Sequence, residues 1–294
     1  MTNLQNRQIL NIFNLSLFLI LVFSLVQGPS YSAVEVVIEP NKPKQGDTLA
    51  VKVKKTSENN NPPKVYFGAD KLPVFEINNG WYRALVPITA SQESKEYEFN
   101  IVYEGEKKTI PITINETPYK VESITLSKEV SGLVATKIEK ESVRKAVNTV
   151  SSQKYWNGKF IFPSEAHQST EYGVKRKING VQNPDYFHKG LDFASPEGGN
   201  VKAPENGKII LAGLTSKGFV VNGNCIFLDH GHGVISAYLH LSKVLVKEGD
   251  VVKKGQLIGK VGSTGIATGP HLHWGVYVLG KPVEPLVWIN TSID

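Results

Sequence analysis

Short apolar runs, broken at close intervals by Gly, Pro and Asn, recur along most of this chain and restrict it to a fold made mainly of β-strands. The 26 Gly and 16 Pro residues favour short strands and many turns over long helices. In residues 109–114 isoleucines alternate with other residues, which is typical of a half-buried strand, and Pro111 indicates a strand at a sheet edge. The sequence therefore predicts a mainly β protein.

Changes of hydrophobic period divide the chain into three parts after its N-terminal stretch. Residues 34–116 contain short strands at the spacing of a small immunoglobulin-like β-sandwich. Residues 117–155 are expected to form a short helical connector, because apolar residues follow helical spacing from about residue 139 to residue 150. Residues 156–294 return to the strand pattern and predict a C-terminal β-rich domain. Its clearest predicted strands are 201–211, 224–229, 234–239, 251–261 and 271–278.

The N-terminal stretch predicts export. Residues 9–26 are largely apolar, a Gly-Pro pair follows them, and small residues stand three and one positions before a cut ahead of Ala33. We therefore interpret residues 1–32 as a signal peptide. An uncleaved membrane anchor is the alternative, because the apolar stretch approaches the length of a membrane span. In either case the rest of the chain is expected to reach the periplasm or the cell envelope.

Charge and cysteine content exclude several classes of protein. The net charge is +6, but no segment combines Lys and Arg with interleaved aromatic residues, so a nucleic-acid partner is not expected. Cys225 is the single cysteine, which rules out an internal disulfide framework. It lies in an apolar run and is predicted to be a buried structural thiol.

Six of the seven histidines fall between residues 188 and 273. His271 and His273 are two positions apart on a predicted strand, so both rings face the same side. His188 and Asp192 lie in a predicted loop that runs into another strand. Two imidazoles and a carboxylate would give a catalytic zinc three protein ligands and leave one position for water. The spacing leaves open which histidine of the strand pair binds metal, and His188 with Asp192 could instead form a surface ion pair.

The other histidines have simpler interpretations. His240 ends an apolar strand, where a histidine bonded to the backbone is the alternative to a functional one. His230 and His232 belong to an Asp-His-Gly-His-Gly segment that could bind metal by itself, although its glycines favour a tight turn between two strands. His167 stands alone in a polar segment and is predicted to be an ordinary surface residue.

Taken together, these motifs resemble the lysostaphin/LytM-type zinc metallopeptidases, which cut peptidoglycan. The resemblance covers about residues 156–288. Its elements are His188-x-x-x-Asp192, Tyr238-x-His240, Gly269-Pro270-His271-Leu272-His273, Glu171-Tyr172-Gly173 with Arg176, Gly190-Leu191-Asp192-Phe193-Ala194, Val201-Lys202-Ala203-Pro204 and the segment 249–259. It implies that the C-terminal domain is a lysostaphin/LytM-like peptidase domain.

The resemblance also implies the roles of individual residues. His188, Asp192 and His273 would bind one Zn²⁺ per chain, and His240 and His271 would act in catalysis. We expect His271 to be the general base that later protonates the leaving amine, and His240 to stabilise the oxyanion. The N-terminal sandwich lies outside the resemblance, and no residue role follows for it.

The expected function is that of an exported zinc metalloendopeptidase that hydrolyses peptide cross-links of bacterial peptidoglycan. Its expected partner is the peptidoglycan peptide, with membrane contact only through an uncleaved N-terminal segment. One alternative is a non-catalytic peptidoglycan-binding activator of another cell-wall hydrolase, which the complete set of ligands and catalytic histidines disfavours. A second alternative is a lipoyl- or biotinyl-like adaptor module, suggested by residues 246–262. That module would need a carrier-lysine hairpin, which this sequence lacks.

Overall fold

Segments in which apolar and polar residues alternate form strands in the computed structural model of this protein. The structure describes residues 34–56, 61–78, 80–182 and 186–294. The predicted signal peptide or anchor, residues 1–32, lies outside the described residues. Among the residues that are described, no helix has the length and apolar character needed to cross a membrane.

The first part of the chain forms two antiparallel sheets of four strands each. Their strands are β1 (Val36–Glu39), β2 (Thr48–Lys54), β3 (Lys64–Phe67), β4 (Asp70–Leu72), β5 (Phe75–Ile77), β6 (Trp81–Pro87), β7 (Glu96–Tyr103) and β8 (Glu106–Thr113). The sheet orders are β1-β2-β6-β5 and β4-β3-β7-β8, and side chains from both sheets share one buried core. This arrangement is compatible with the immunoglobulin-like class, which stays a prediction. Pro111 lies on β8, an edge strand as predicted.

The connector contributes a strand as well as helices. Its elements are β9 (Val121–Ile124), α1 (Lys128–Ser131) and α2 (Lys137–Val147). Strand β9 pairs in parallel with a strand of the C-terminal part, residues 175–178. The predicted helix end at Val150 is wrong, because Asn148 forms the C-cap of α2 and Val150 is exposed beyond it. The helix itself packs through its buried Ala146 and Val147.

The C-terminal part is rich in strands, as predicted, and ends in a short helix. Its strands are β10 (His167–Thr170), β11 (Lys175–Ile178), β12 (Val181–Gln182), β13 (Leu191–Ala194), β14 (Asn200–Lys202), β15 (Gly207–Gly213), β16 (Asn224–Gly231), β17 (Val234–Leu241), β18 (Lys243–Val244), β19 (Val251–Val252), β20 (Leu257–Lys260), β21 (His271–Val278) and β22 (Lys281–Val283). A 3-10 helix spans Thr215–Lys217, and α3 spans Pro285–Asn290. The helix α3 has no counterpart among the sequence predictions.

An eight-stranded sheet lies at the centre of this part, in the order β10-β13-β21-β17-β16-β15-β19 with β22 beside β21. Strand β21 coincides with the predicted strand 271–278. The predicted strand 201–211 is divided into β14 and β15, because Pro204 cannot donate a ladder hydrogen bond. The predicted strand 251–261 is likewise divided by a turn at Gly255, whose φ is 79°. The sheet order places β13, β21 and β17 side by side.

The N-terminal sheets and the C-terminal part meet around the buried side chain of Arg83 on β6. Its guanidinium donates hydrogen bonds to the Ile293 carbonyl oxygen (2.5 Å) and to Nδ1 of His232 (3.0 Å). The guanidinium carbon also lies 4.9 Å from the centre of the Trp156 ring. Burial lowers the pKa of Arg83 to about 10, so the side chain is still charged at neutral pH. A buried charge with these partners ties the two parts together.

His232 completes this contact from the turn between β16 and β17. Its φ is 51° and it stands between Gly231 and Gly233, which also have positive φ, so the segment is the tight turn that the sequence predicts. Nε2 of His232 donates to the Ser152 carbonyl oxygen (3.0 Å), which leaves Nδ1 as the acceptor for Arg83. The Phe75 ring stacks on the His232 ring at a centroid distance of 4.0 Å. This histidine therefore serves packing between the two parts.

We expect replacement of Arg83 by Met to lower the free energy of unfolding by about 3 kcal/mol, because buried acceptors lose their donor. Arg144→Met is the matched control, since Arg144 is exposed on α2 and should change stability by less than about 0.5 kcal/mol. Urea unfolding of both variants measures the difference. Equal stabilities of the two variants would contradict the role given to Arg83.

Acid should destabilise the protein through His232. Burial and the neighbouring Arg83 charge lower the pKa of His232 from 6.5 to about 4, so the folded state favours the neutral ring. The unfolded chain binds the proton first, and stability should fall as the pH drops from 6.5 towards 4. Replacement of His232 by Gln should reduce this pH dependence of the urea midpoint. An unchanged slope in the variant would show that His232 does not contribute.

Candidate metal centre

Adjacent strands bring two of the predicted ligands together. Asp192 on β13 and His273 on β21 are directly opposed residues of an antiparallel pair. His188 precedes β13 in a loop whose backbone is bonded to Val174 and Gly173, in each case at 2.8 Å. Residue 190, between the loop and the strand, is a glycine, which allows the backbone of β21 to lie close to it. A Cβ at Gly190 would lie 2.3 Å from the Trp274 carbonyl oxygen.

The three predicted ligands form a tight group of donor atoms. Nε2 of His188 lies 3.0 Å from Oδ1 of Asp192 and 3.0 Å from Nδ1 of His273. The distance between Nδ1 of His273 and Oδ1 of Asp192 is 2.9 Å, and all three residues are buried. Nδ1 of His188 contacts the Glu171 carbonyl oxygen at 2.8 Å. Because a carbonyl only accepts, Nδ1 carries a hydrogen, and in the neutral ring the Nε2 lone pair faces the group.

This arrangement fits a metal ion. In the neutral form of His188 the Nε2 lone pair faces a carboxylate oxygen, so two acceptors would meet and a cation between them would satisfy both. The donor set of two imidazoles and one carboxylate suits zinc, and it leaves an open coordination position. The Glu171 carbonyl oxygen orients His188 in the way that outer-shell acceptors orient metal-binding histidines.

Electrostatics hold the ligands in the states that a metal requires. Burial acts to raise the pKa of Asp192, but contacts with His188 and His273 outweigh it and the pKa is lowered. The guanidinium of Arg176 donates to the other oxygen, Oδ2, at 3.0 Å. Burial lowers the pKa of His273 to about 4. At neutral pH the site therefore combines an ionised carboxylate with a neutral imidazole, which are the metal-binding forms.

Two further histidines face the same group. Nδ1 of His271 donates to the Gly269 carbonyl oxygen, and Nδ1 of His240 donates to the Thr264 carbonyl oxygen, both at 2.8 Å. The ring centres of His240 and His271 are 4.9 Å apart. Nε2 of His271 lies 3.9 Å from Oδ1 of Asp192. In its neutral form each ring presents an Nε2 lone pair to the site.

His240 is held in an uncommon conformation. Its φ is 64°, in the left-handed region that few non-glycine residues adopt. Burial, together with His271 and His273, lowers its pKa to about 3, so the ring is neutral at pH 7. With Nδ1 occupied by the Thr264 carbonyl oxygen, neutral His240 offers an acceptor and not a donor at Nε2.

The five predicted site residues line one cleft of about 670 Å³. His167 lies apart from it and is exposed on β10, as the sequence predicts. Cys225 is buried, also as predicted. One wall of the cleft comes from the connector, including Ile124, Leu126 and Val143. The sequence predicted neither this wall nor the carbonyl groups that orient the histidines.

The role of Arg176 was also missed, although a signal for it was present. The residue belongs to the Glu-Tyr-Gly segment of the family resemblance, yet its motif alone does not show which acid it meets. The structure places Arg176 on β11, where its side chain reaches Asp192. Pairing of β11 with β9 holds that strand from the connector side.

Comparisons with known proteins identify the family of the segment that carries this site. Residues 186–285 match the profile of peptidase family M23. The peptidoglycan DD-endopeptidase ShyA of Vibrio cholerae is 41% identical over 111 residues, which are 38% of this chain and 25% of that protein. The matched segment thus spans about a quarter of the length of this curated relative. The family match, residues 186–285, includes all five predicted site residues.

Two solved structures are similar as well. A provisionally assigned peptidase M23 from Pseudomonas aeruginosa is 29% identical, with a TM-score of 0.63, and the match covers 85% of this chain and 96% of that one. The catalytic domain of lysostaphin from Staphylococcus simulans is 38% identical over 42% of this chain and 92% of that one, with a TM-score of 0.36. Residues 186–285 of this chain form a domain of peptidase family M23. The predicted family is confirmed.

Replacement of Arg176 by Met should weaken zinc binding about 10- to 100-fold, because the Asp192 carboxylate loses the partner that orients it. Lys175→Met is the matched control, since Lys175 is the exposed neighbour on the same strand. Competition with a chromogenic chelator measures both affinities. Equal affinities of the two variants would contradict the orienting role of Arg176.

Proposed function

We propose that this protein is a zinc metalloendopeptidase that hydrolyses peptide cross-links of bacterial peptidoglycan. The observation that carries the proposal is the convergence of His188, Asp192 and His273, whose ligand atoms lie within 4.8 Å of one another in a cleft with two more histidines. The ShyA relative is named a peptidoglycan DD-endopeptidase, which supports the choice of substrate. Cross-links of the DD type are therefore our first candidate for the scissile bond.

His188, Asp192 and His273 would hold one zinc ion. When bound, it supplies Lewis-acid polarisation of the scissile carbonyl and lowers the pKa of a bound water. His271 is the proposed general base, because its Nε2 lone pair faces the site while the Gly269 carbonyl oxygen fixes its other nitrogen. The proton that it accepts can pass to the leaving amine.

The proposed role of His240 depends on the protonation state of its ring. To stabilise an oxyanion, the ring must donate from Nε2, and the Thr264 carbonyl oxygen already occupies Nδ1. His240 can therefore fill this role only as an imidazolium, with a proton taken from solvent in the cleft and not from the water that His271 deprotonates. Developing negative charge beside the ring would favour that protonation. In its neutral form the same nitrogen can only accept a proton or a hydrogen bond.

Location and domain limits form part of the proposal. We propose that residues 1–32 direct export and that the remainder acts in the cell envelope, where the substrate lies. The ShyA relative, whose name specifies peptidoglycan as its substrate, supports this location. We retain residues 34–116, 117–155 and 156–294 as the proposed sandwich, connector and peptidase domain.

Digestion of purified peptidoglycan tests the proposal. Zinc-loaded wild type should release new muropeptides that mass spectrometry identifies, and His273→Ala should lose both bound zinc and cleavage. His271→Ala should keep its zinc but lose about 100-fold or more in kcat, as expected for a general base. His167→Ala is the matched control, because that histidine is exposed outside the cleft.

A zinc-loaded wild type that releases no fragment would contradict the catalytic proposal. That result, combined with stimulation of a second cell-wall hydrolase, would favour the alternative of a non-catalytic activator. Full cleavage by His271→Ala would reject the assignment of the general base while leaving the metal site intact.

A further inference from the structure

Glu139 on the connector helix α2 has a buried carboxylate that accepts hydrogen bonds from the backbone of the loop 219–223. The residue is 1% exposed. Its two carboxylate oxygens accept hydrogen bonds from the backbone N–H groups of Val220 (3.0 Å), Val221 (3.1 and 3.2 Å) and Asn222 (2.7 Å). Charge-assisted bonds to three consecutive N–H groups compensate a buried carboxylate and fix the loop that carries them.

The same loop holds His240 at its backbone. The carbonyl oxygen of Asn222 accepts a hydrogen bond of 3.0 Å from the backbone N–H of His240. The Thr264 carbonyl oxygen holds the ring of His240 from the other side. A non-glycine residue with φ of 64° persists only where its surroundings impose that conformation. These two carbonyl groups are such surroundings.

The two loops that supply the carbonyl groups are locked to each other. The backbone N–H of Ile266 donates to the Val221 carbonyl oxygen at 2.9 Å. Glycines allow the close approach: a Cβ at Gly223 would lie 2.3 Å from Oγ1 of Thr264, and one at Gly265 would lie 2.4 Å from the Val221 carbonyl oxygen. A shift of loop 219–223 would therefore displace Thr264 and both contacts of His240.

The helix that carries Glu139 is itself a firm support. Thr136 is the N-cap: its hydroxyl oxygen accepts from the backbone N–H of Glu139 (3.1 Å) and donates to the Gly218 carbonyl oxygen (2.8 Å). At the other end Ala146 and Val147 are buried in a core shared with strands of the central sheet. The helix is thus attached to the loop 219–223 through Glu139, to the adjoining Gly218 through Thr136, and to the sheet through packing.

We propose that Glu139 is a positioning residue of the catalytic site, which fixes loop 219–223 and through it the backbone and ring of His240. The residue lies outside the segment 186–285 that matches the family, so the connector would complete the site from beyond the peptidase segment. The catalytic consequence rests on the proposed function. The geometric consequence for His240 does not.

Glu139→Gln in the full chain is the test variant, because it keeps the side-chain size but turns one acceptor into a donor that faces N–H groups. Glu141→Gln is the matched control on the same helix, where the side chain is 61% exposed. Zinc content should stay unchanged in both, since the ligands lie on β13, β21 and the preceding loop. In Glu139→Gln, kcat should fall about tenfold, part of the roughly 100-fold loss typical for removal of an oxyanion donor.

A double-mutant cycle separates positioning from general stability. If Glu139 acts through His240, Glu139→Gln should cause no further loss of kcat in a His240→Ala background. An equal fold-loss in both backgrounds would overturn the proposal. Gly223→Ala is a second way to displace the loop, in case Glu139→Gln does not fold, and it should show the same dependence on His240.

Nuclear magnetic resonance of the His240 ring keeps the two proposals distinguishable. Glu139→Gln should shift the ring Cε1–H resonance of His240 and speed exchange of the Val220–Asn222 amides, while Glu141→Gln leaves both as in wild type. Unchanged His240 signals in Glu139→Gln would overturn the positioning role even in an active enzyme. A wild type that cleaves nothing would remove the proposed function but leave this result decisive for Glu139.

Discussion

The pairing of β13 with β21 is the constraint on which the candidate site depends. It sets Asp192 directly opposite His273, and a slip of one residue would turn the carboxylate to the other face of the sheet. Gly190 permits the approach, because any Cβ there would collide with the Trp274 carbonyl oxygen. Strand β21 is held on its other side as well, because it pairs with β17 over residues 273–278.

Backbone carbonyl groups orient three of the histidine rings at the site. Those of Glu171, Thr264 and Gly269 each bind the Nδ1 atom of one histidine, which leaves the Nε2 atom free to act. Asp192 then divides its oxygens between the ligand group and Arg176. Because these partners come from loops and from the connector-paired strand β11, the surroundings of the candidate metal centre extend well beyond its three predicted ligands.

Elements set by local sequence patterns could be predicted, but contacts between distant segments could not. The strand pattern of the sequence predicted β21 and placed His271 and His273 on one face. The family resemblance then gave His273 as the predicted ligand. Helical spacing found α2, but an asparagine cap ended it before Val150. Nothing local indicates that β9 pairs with β11, that Arg83 reaches the turn at His232, or that Glu139 points inward. Those contacts are set by tertiary packing, and carbonyl acceptors carry no side-chain signature.

X-ray absorption spectroscopy of the zinc-loaded protein tests whether His188, Asp192 and His273 form one zinc site. Two imidazole nitrogens and further oxygens, from Asp192 and water, should surround the zinc at about 2.0–2.2 Å, without sulfur. In a His188→Ala protein the spectrum should show one imidazole fewer than in the wild type. A sulfur scatterer at about 2.3 Å, or a shell with more than two imidazoles, would contradict the proposed centre.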